Sequence, residues 1–211
     1  MNVREQKIEL RRALEAKRGA ITGPEREAKE RAINAATLAV CQEHLLDGTG
    51  TPTGQALFTY MPIRTEVDVT PVMDWCLTRG VPVVLSRTDR ERKTMSLYSV
   101  TSLADLAAET GPWGIREPKA TQPELADLGQ IGLILVPGLG FDREFGRLGY
   151  GGGFYDRFMQ RFEPLGLVRP YCLAAAFQVQ VVERVPLGWH DFRVDEIVTE
   201  SIRLKRKEGN G

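Results

Sequence analysis

Residues 133–158 read LILVPGLGFDREFGRLGYGGGFYDRF. The apolar, β-rich run Ile131–Val136 predicts a buried strand, and Pro137 ends it. Between 138 and 153 there are seven glycines (138, 140, 146, 149, 151, 152 and 153), threaded with Asp142, Arg147 and Tyr150, and followed by Tyr155 and Asp156. Glycine at this density lets the backbone take positive φ and approach a ligand with its N–H groups turned inward. An arginine inside the loop and an aspartate just past it offer a phosphate fork and a magnesium ligand, the two groups a nucleoside triphosphate needs. Phe154, Phe158 and Phe162 recur at helical spacing, so the loop is expected to feed a helix whose N-terminus faces the same ligand. A single Gly-Gly pair would mark an ordinary surface turn; here glycines, charges and strand-to-helix placement coincide. The chain has no Gly-Lys pair, which excludes a Walker loop, and the 149–153 run GYGGG does not fit G-x-G-x-x-G.

On the N-terminal side, Arg4 to Arg18 predicts an amphipathic helix, with Leu10 and Leu14 on one face and Lys7, Arg11 and Arg18 in a basic stripe beside it. By composition alone such a stripe is a solvated face. Thr22-Gly23-Pro24-Glu25 reads as a capping box opening a second helix, with Ile33, Ala36 and Val40 inward and its end near Asp47-Gly48. Ala56–Tyr60 is a short strand, and its exit, YMPIRTEVD at 60–68, is where an open α/β sheet binds ligand. Pro71–Arg79 predicts a helix stopped by Gly80, Val81–Leu85 a strand, 87–93 a charged connection, Met95–Val100 a strand and Leu103–Glu109 a short helical piece. Residues 111–118, GPWGIREP, form a loop presenting Trp113; Pro118–Gln130 is a polar connection and Tyr171–Ala176 another strand. This alternation implies an α/β fold with a mainly parallel sheet between helical layers.

The chain's 211 residues make one large domain, and 28 Lys plus Arg against 28 Asp plus Glu give no charge excess toward nucleic acid or an anionic membrane. Cys41, Cys76 and Cys172 are too far apart for a disulfide framework or a zinc site. A charged N-terminus and the lack of any long apolar run predict a cytoplasmic protein without a membrane span. A monomer is expected.

The VPGLGFD and RLGYGGGFYDRF segments resemble the signature of 5-formyltetrahydrofolate cyclo-ligases (5,10-methenyltetrahydrofolate synthetases), and the N-terminal helix and C-terminal quarter extend the resemblance over nearly the whole chain. It implies one cyclo-ligase domain over 1–211, in which residues 1–20 contribute to an ATP site and 205–211 fray, with a three-layer fold related to ribose-5-phosphate isomerase and CoA-transferase domains. Lys7 and Arg11 match the family's N-terminal lysine and arginine that contact ATP phosphates. Arg147, Leu148, Gly149, Tyr150, Gly151, Gly152, Gly153, Phe154 and Tyr155 correspond to the nucleotide loop, with Arg147 and Tyr155 as the candidate catalytic pair. Glu66 matches the substrate-recognising glutamate; on position alone it would be a charge before the Thr70-Pro71 helix start. Met61, Trp113, Tyr150 and Phe154 complete the expected folate pocket, although Trp113 could equally pack beneath its own loop. Asp156 and Asp191 correspond to the magnesium ligands. Gln180 lies in an element whose amide serves either the site or a turn, and His190 reads as a hydrogen-bonded loop residue. One departure is plain: Phe145 stands where the family usually has glycine, and a glycine follows at 146.

The reaction implied closes N5-formyl onto N10 of 5-formyltetrahydrofolate, with or without a polyglutamate chain, using ATP and magnesium. Transfer of a phosphoryl group to the formyl oxygen makes a leaving group, so no protein nucleophile is required, and the chain carries no G-x-S-x-G, cysteine–histidine or zinc motif. Three alternatives stand beside it: a paralogue activating another amide or carboxylate; a folate-binding protein without turnover, for which a triphosphate clamp would have no use; and a small nucleotide-binding regulatory module, which would leave Glu66 and Trp113 unexplained.

Overall fold

The structure, a computed structural model, describes residues 2–110 and 114–207. Helix α1 (Val3–Gly19) and helix α2 (Gly23–Leu45) lead into strand β1 (Ala56–Phe58), helix α3 (Thr70–Thr78), β2 (Val83–Asp89) and β3 (Thr94–Val100). Then come β4 (Leu106–Thr110), β5 (Arg116–Pro118), β6 (Ile131–Leu135), β7 (Gly140–Asp142), β8 (Arg147–Leu148) and helix α4 (Phe154–Met159). Strands β9 (Tyr171–Ala175), β10 (Val181–Val182), β11 (Glu196–Val198) and β12 (Arg203–Lys205) complete the order.

A seven-stranded sheet runs β12-β11-β9-β6-β1-β2-β3. Its five inner strands are parallel, and the two edge strands are antiparallel to their neighbours. Alternation along β6 shows why the sheet is covered twice. Leu133 and Leu135 enter one core with Ile33, Val40 and Leu45 of α2 and Val72, Met73 and Cys76 of α3. Ile134 points the other way, into a core shared with Phe158 and Met159 of α4 and with Phe162. The result is three α/β layers, as the alternating pattern implied. After β1 the chain crosses by α3 to β2 on one side; after β6 it crosses by α4 to β9 on the other. The crevice between β1 and β6 is therefore a topological switch point, where open α/β sheets bind ligands.

Several local expectations are corrected. Thr22 occupies the N-cap of α2 but makes no side-chain cap hydrogen bond. The charged 87–93 run is not a plain connection: Arg87–Asp89 extend β2, and the chain turns at Lys93 (φ 54°) into an antiparallel hairpin with β3. Tertiary pairing there outweighs the weak strand preference of charged residues. The helix expected over Leu103–Glu109 is one 3₁₀ turn, Leu103–Asp105, followed by strand β4 paired with β5. The Asp105 carboxylate accepts from Thr101 and Ser102 N–H and closes that turn. Part of the glycine-rich stretch is a small sheet, β10-β7-β8, and helix α4 is only six residues long. Trp113 lies outside the described residues.

Candidate active site

The exits of β1 and β6, together with α1, enclose a cavity of 580 Å³, within the usual range of about 300–1,000 Å³ for small-molecule sites. Every residue from Arg147 to Asp156 lines it, as do Lys7, Arg11, Met61, Glu66 and Asp191. Apart from Trp113, every residue expected to touch nucleotide, folate or metal therefore faces one pocket.

The basic stripe of α1 is not a solvated face. Leu14 is buried with Leu148 and Val185, which seats the helix beside the glycine loop. One turn earlier, Arg11 donates from Nε to the Gly149 carbonyl at 2.8 Å. Gly151 sits against the Arg11 guanidinium with φ 98°, a conformation an L side chain rarely adopts. Partial burial lowers the Arg11 pKa, and the Asp191 charge opposes that shift. Lys7 reaches Asp191 at 2.5 Å, so the first helix and the last loop close the pocket together.

Arg147 is 6% exposed and is held on three sides. It donates to the Pro137 carbonyl (3.2 Å) and to Asp156 Oδ1 (3.1 Å), and its guanidinium lies 4.7 Å from the Phe192 ring centroid and 5.7 Å from that of Tyr155. Its buried Nε has no hydrogen-bond partner among the described residues. A buried cationic donor without an acceptor, in a residue lining a cavity, suits an anion arriving there. The turn preceding it is organised by Asp142, 2% exposed, whose carboxylate accepts from Glu144, Gly146 and Val185 N–H at 2.9, 2.8 and 2.7 Å. A Cβ at Gly146 would come within 2.8 Å of that carboxylate, which explains a glycine at 146. The left-handed residue of the turn is Phe145 (φ 66°), at the position where the family pattern has glycine.

At the other end, Glu66 is 6% exposed. Its carboxylate accepts from Tyr150 Oη at 2.6 Å and from Ile63 N–H at 2.9 Å. Burial pushes Glu66 above the ordinary carboxylate range, while Tyr150, Ile63 and the Arg18 charge act in the opposite sense. Burial also raises the Tyr150 and Tyr155 phenols, so both stay protonated.

The family model for 5-formyltetrahydrofolate cyclo-ligases matches residues 3–200. The chain belongs to that family. A mouse 5-formyltetrahydrofolate cyclo-ligase is 30% identical over 144 residues, 67% of this chain and 71% of its own length. A probable 5-formyltetrahydrofolate cyclo-ligase of Caenorhabditis elegans is 24% identical over 204 residues, 94% of each chain. The solved 5,10-methenyltetrahydrofolate synthetase of Aquifex aeolicus superposes with a TM-score of 0.76 at 30% identity, covering 97% of this chain and 95% of its own.

Within this cyclo-ligase, the alternative left open for Gln180 falls to a structural role. Gln180 is buried, accepts from Phe177 N–H and donates to the Gly138 and Leu139 carbonyls, so its amide braces a turn. His190 is exposed and does not line the cavity. Two residues beside the site were not foreseen in their present roles. Phe192, flanking Arg147, follows Asp191 and carries no spacing signal. Arg18 is 1% exposed, and here a signal existed: it lies four residues after Leu14, on the buried face of α1. Among the described residues no helix is long and apolar enough to cross a membrane.

Proposed function

We propose that this cyclo-ligase converts 5-formyltetrahydrofolate to 5,10-methenyltetrahydrofolate with ATP in the pocket at the β1/β6 crevice, releasing ADP and phosphate. The observation that carries the reading is the meeting of three groups in one cavity: the α1 cations, the 147–156 loop with its unsatisfied Arg147 donor, and the buried Glu66 carboxylate.

Lys7, Arg11 and Arg147 hold the phosphates together with the loop amides. Arg147 is fixed by Pro137, Asp156 and the flanking rings, so its charge is already in place when negative charge spreads over the transferring phosphoryl group. Glu66 accepts hydrogen bonds from the amino-pyrimidine edge of the pterin, since each carboxylate oxygen keeps a free lone pair beside its present donor. Met61, Phe154 and the ring of Tyr150 wall the formyl-bearing ring, and the protonated Tyr155 lies between Arg147 and the apolar floor at Phe58, 5.8 Å away between ring centroids. The formyl oxygen attacks the γ-phosphorus and ADP leaves; N10 then attacks the activated carbon and gives up its proton, and phosphate leaves with the oxygen and that proton. Positioning two substrates in line is the protein's main contribution.

Among the described residues no cluster of three or more metal-ligating side chains exists. Asp156 and Asp191 nonetheless suit magnesium, which takes one or two carboxylates and completes its shell with water and substrate phosphate. Both line the cavity, and each now pairs with one of the phosphate-holding cations, Asp156 with Arg147 and Asp191 with Lys7. Magnesium bound there would neutralise charge on the β- and γ-phosphates.

The test follows methenyl product by absorbance, with and without ATP, in the parent and in Lys7→Met. The variant should raise the ATP KM about tenfold, equivalent to about 1.4 kcal/mol, and leave the folate KM unchanged. An unchanged ATP KM would remove α1 from the nucleotide site.

A further inference from the structure

Arg18 is among the largest fully buried side chains of the described residues, yet it does not line the cavity. Arginine is almost never fully buried unless paired. Here, among the described residues, no carboxylate lies within ion-pair distance of it. Its donors go to neutral acceptors: Nε to Thr65 Oγ1 (2.8 Å), one terminal nitrogen to the Gly138 carbonyl (3.3 Å), the other to Tyr150 Oη (3.0 Å). A guanidinium can only donate. The Tyr150 oxygen therefore accepts from Arg18, and its proton is directed onto Glu66 Oε1, 2.6 Å away.

We propose that Arg18 is a positioning residue for folate recognition: its buried guanidinium fixes the Tyr150 hydroxyl against the Glu66 carboxylate and supplies the positive charge that balances it. The inference rests on the reading of Glu66 as the pterin acceptor. A neutral side chain of the same length would satisfy the packing but would leave the hydroxyl free to rotate and the carboxylate without a counter-charge.

The groups facing Glu66 from the surrounding elements support the assignment. Tyr60, at the exit of β1, and Tyr155, on α4, are phenols that burial keeps neutral. Arg26 of α2 donates to the Glu66 main-chain carbonyl rather than to its carboxylate, at 2.5 Å. Arg64, two residues away, turns outward to Glu15. Ile63 supplies a backbone N–H. Arg18 is thus the cation acting on the carboxylate, against burial that favours its protonated form. Arg18 also stands on the helix that bears Lys7 and Arg11, so one rigid element aligns the phosphate end and the pterin end of the pocket.

The test is titration of 5-formyltetrahydrofolate without ATP between pH 5.5 and 8, beside titration of a non-hydrolysable ATP analogue with magnesium. The proteins are the parent, Arg18→Met, Arg18→Lys, Tyr150→Phe and Glu66→Gln. Arg18→Met should weaken folate binding about tenfold at pH 7 and displace the acidic limb of the affinity profile to higher pH, with the analogue's affinity within twofold of the parent. Arg18→Lys should restore the limb. Tyr150→Phe, which keeps the buried cation but removes the hydroxyl it orients, should weaken folate binding as well; where Arg18→Met fails to fold, Arg18→Gln, neutral yet still able to donate to Tyr150, takes its place and should displace the limb likewise. An unmoved limb in both Arg18→Met and Tyr150→Phe, or folate and nucleotide affinities falling together, would leave Arg18 a structural strut and overturn the proposal. Unaltered folate affinity in Glu66→Gln would overturn the Glu66 reading itself, a distinguishable failure.

Discussion

Asp142→Asn tests the loop's architecture with a single isosteric change. The carboxylate is buried, with Oδ1 accepting from two turn amides and Oδ2 from Val185 N–H at 2.7 Å. Asparagine can keep the oxygen on the turn side, but its NH₂ group then faces the Val185 N–H, donor against donor. Orphaning a buried N–H costs about 1–3 kcal/mol, and the two remaining bonds lose their charge assistance, so a loss of about 3 kcal/mol is expected. For a chain of this size that corresponds to a fall in Tm of about 6–12 °C. Functionally, the displaced turn should carry Arg147 with it, raising the ATP KM while the folate KM changes less. Thermal melts followed by circular dichroism, then steady-state kinetics below the lowered Tm, measure both. A variant that melts within 2 °C of the parent and keeps its ATP KM would show that Asp142 does not organise the turn.

Further outcomes follow from the same geometry. Asp156→Asn should lower kcat about 10²-fold and flatten its dependence on magnesium, and should also lower Tm because it uncharges the partner of the buried Arg147; full retained activity would refute the metal role. Phe145 occupies a left-handed conformation that costs a non-glycine residue about 1–2 kcal/mol, so Phe145→Gly should be about 1 kcal/mol more stable than Phe145→Ala in urea unfolding, the reverse of the usual order. His44 stacks on Tyr171 at 3.9 Å, and burial, helped by Lys205, lowers its pKa. The unfolded state then binds the proton more tightly, so this contribution is complete above about pH 6.5 and is lost as pH falls through the lower native value. His44→Phe should keep the stack and flatten that acid-side slope in denaturant titrations at pH 5.5 and 7.

The glycine-rich stretch was legible because its requirements are local. Positive φ, close backbone approach and a strand ended by proline belong to particular residue types, and they appear in the sequence wherever the chain ends up. The period-two and period-three-point-six patterns likewise gave the layered α/β class and the inward faces of α2 and α3. Local signals misled where pairing partners were remote. Residues 87–89 are charged yet are strand because β3 hydrogen-bonds to them, and 106–110 are strand rather than helix because β5 lies alongside.

By itself the sequence determined the glycine-rich loop, the alternation of elements and the identity of the candidate ligands, since these depend on side-chain chemistry and short-range backbone freedom. Only the tertiary structure decided how they meet. Lys7 lies 184 positions from Asp191, and Tyr150 84 from Glu66; each pair becomes a hydrogen bond only when the sheet order brings α1, the β1 exit and the β6 exit together. The same assembly turned Arg18 from one member of a basic stripe into a buried cation. Burial and electrostatic environment are properties of the whole packed chain, and no neighbourhood of residues along it carries them.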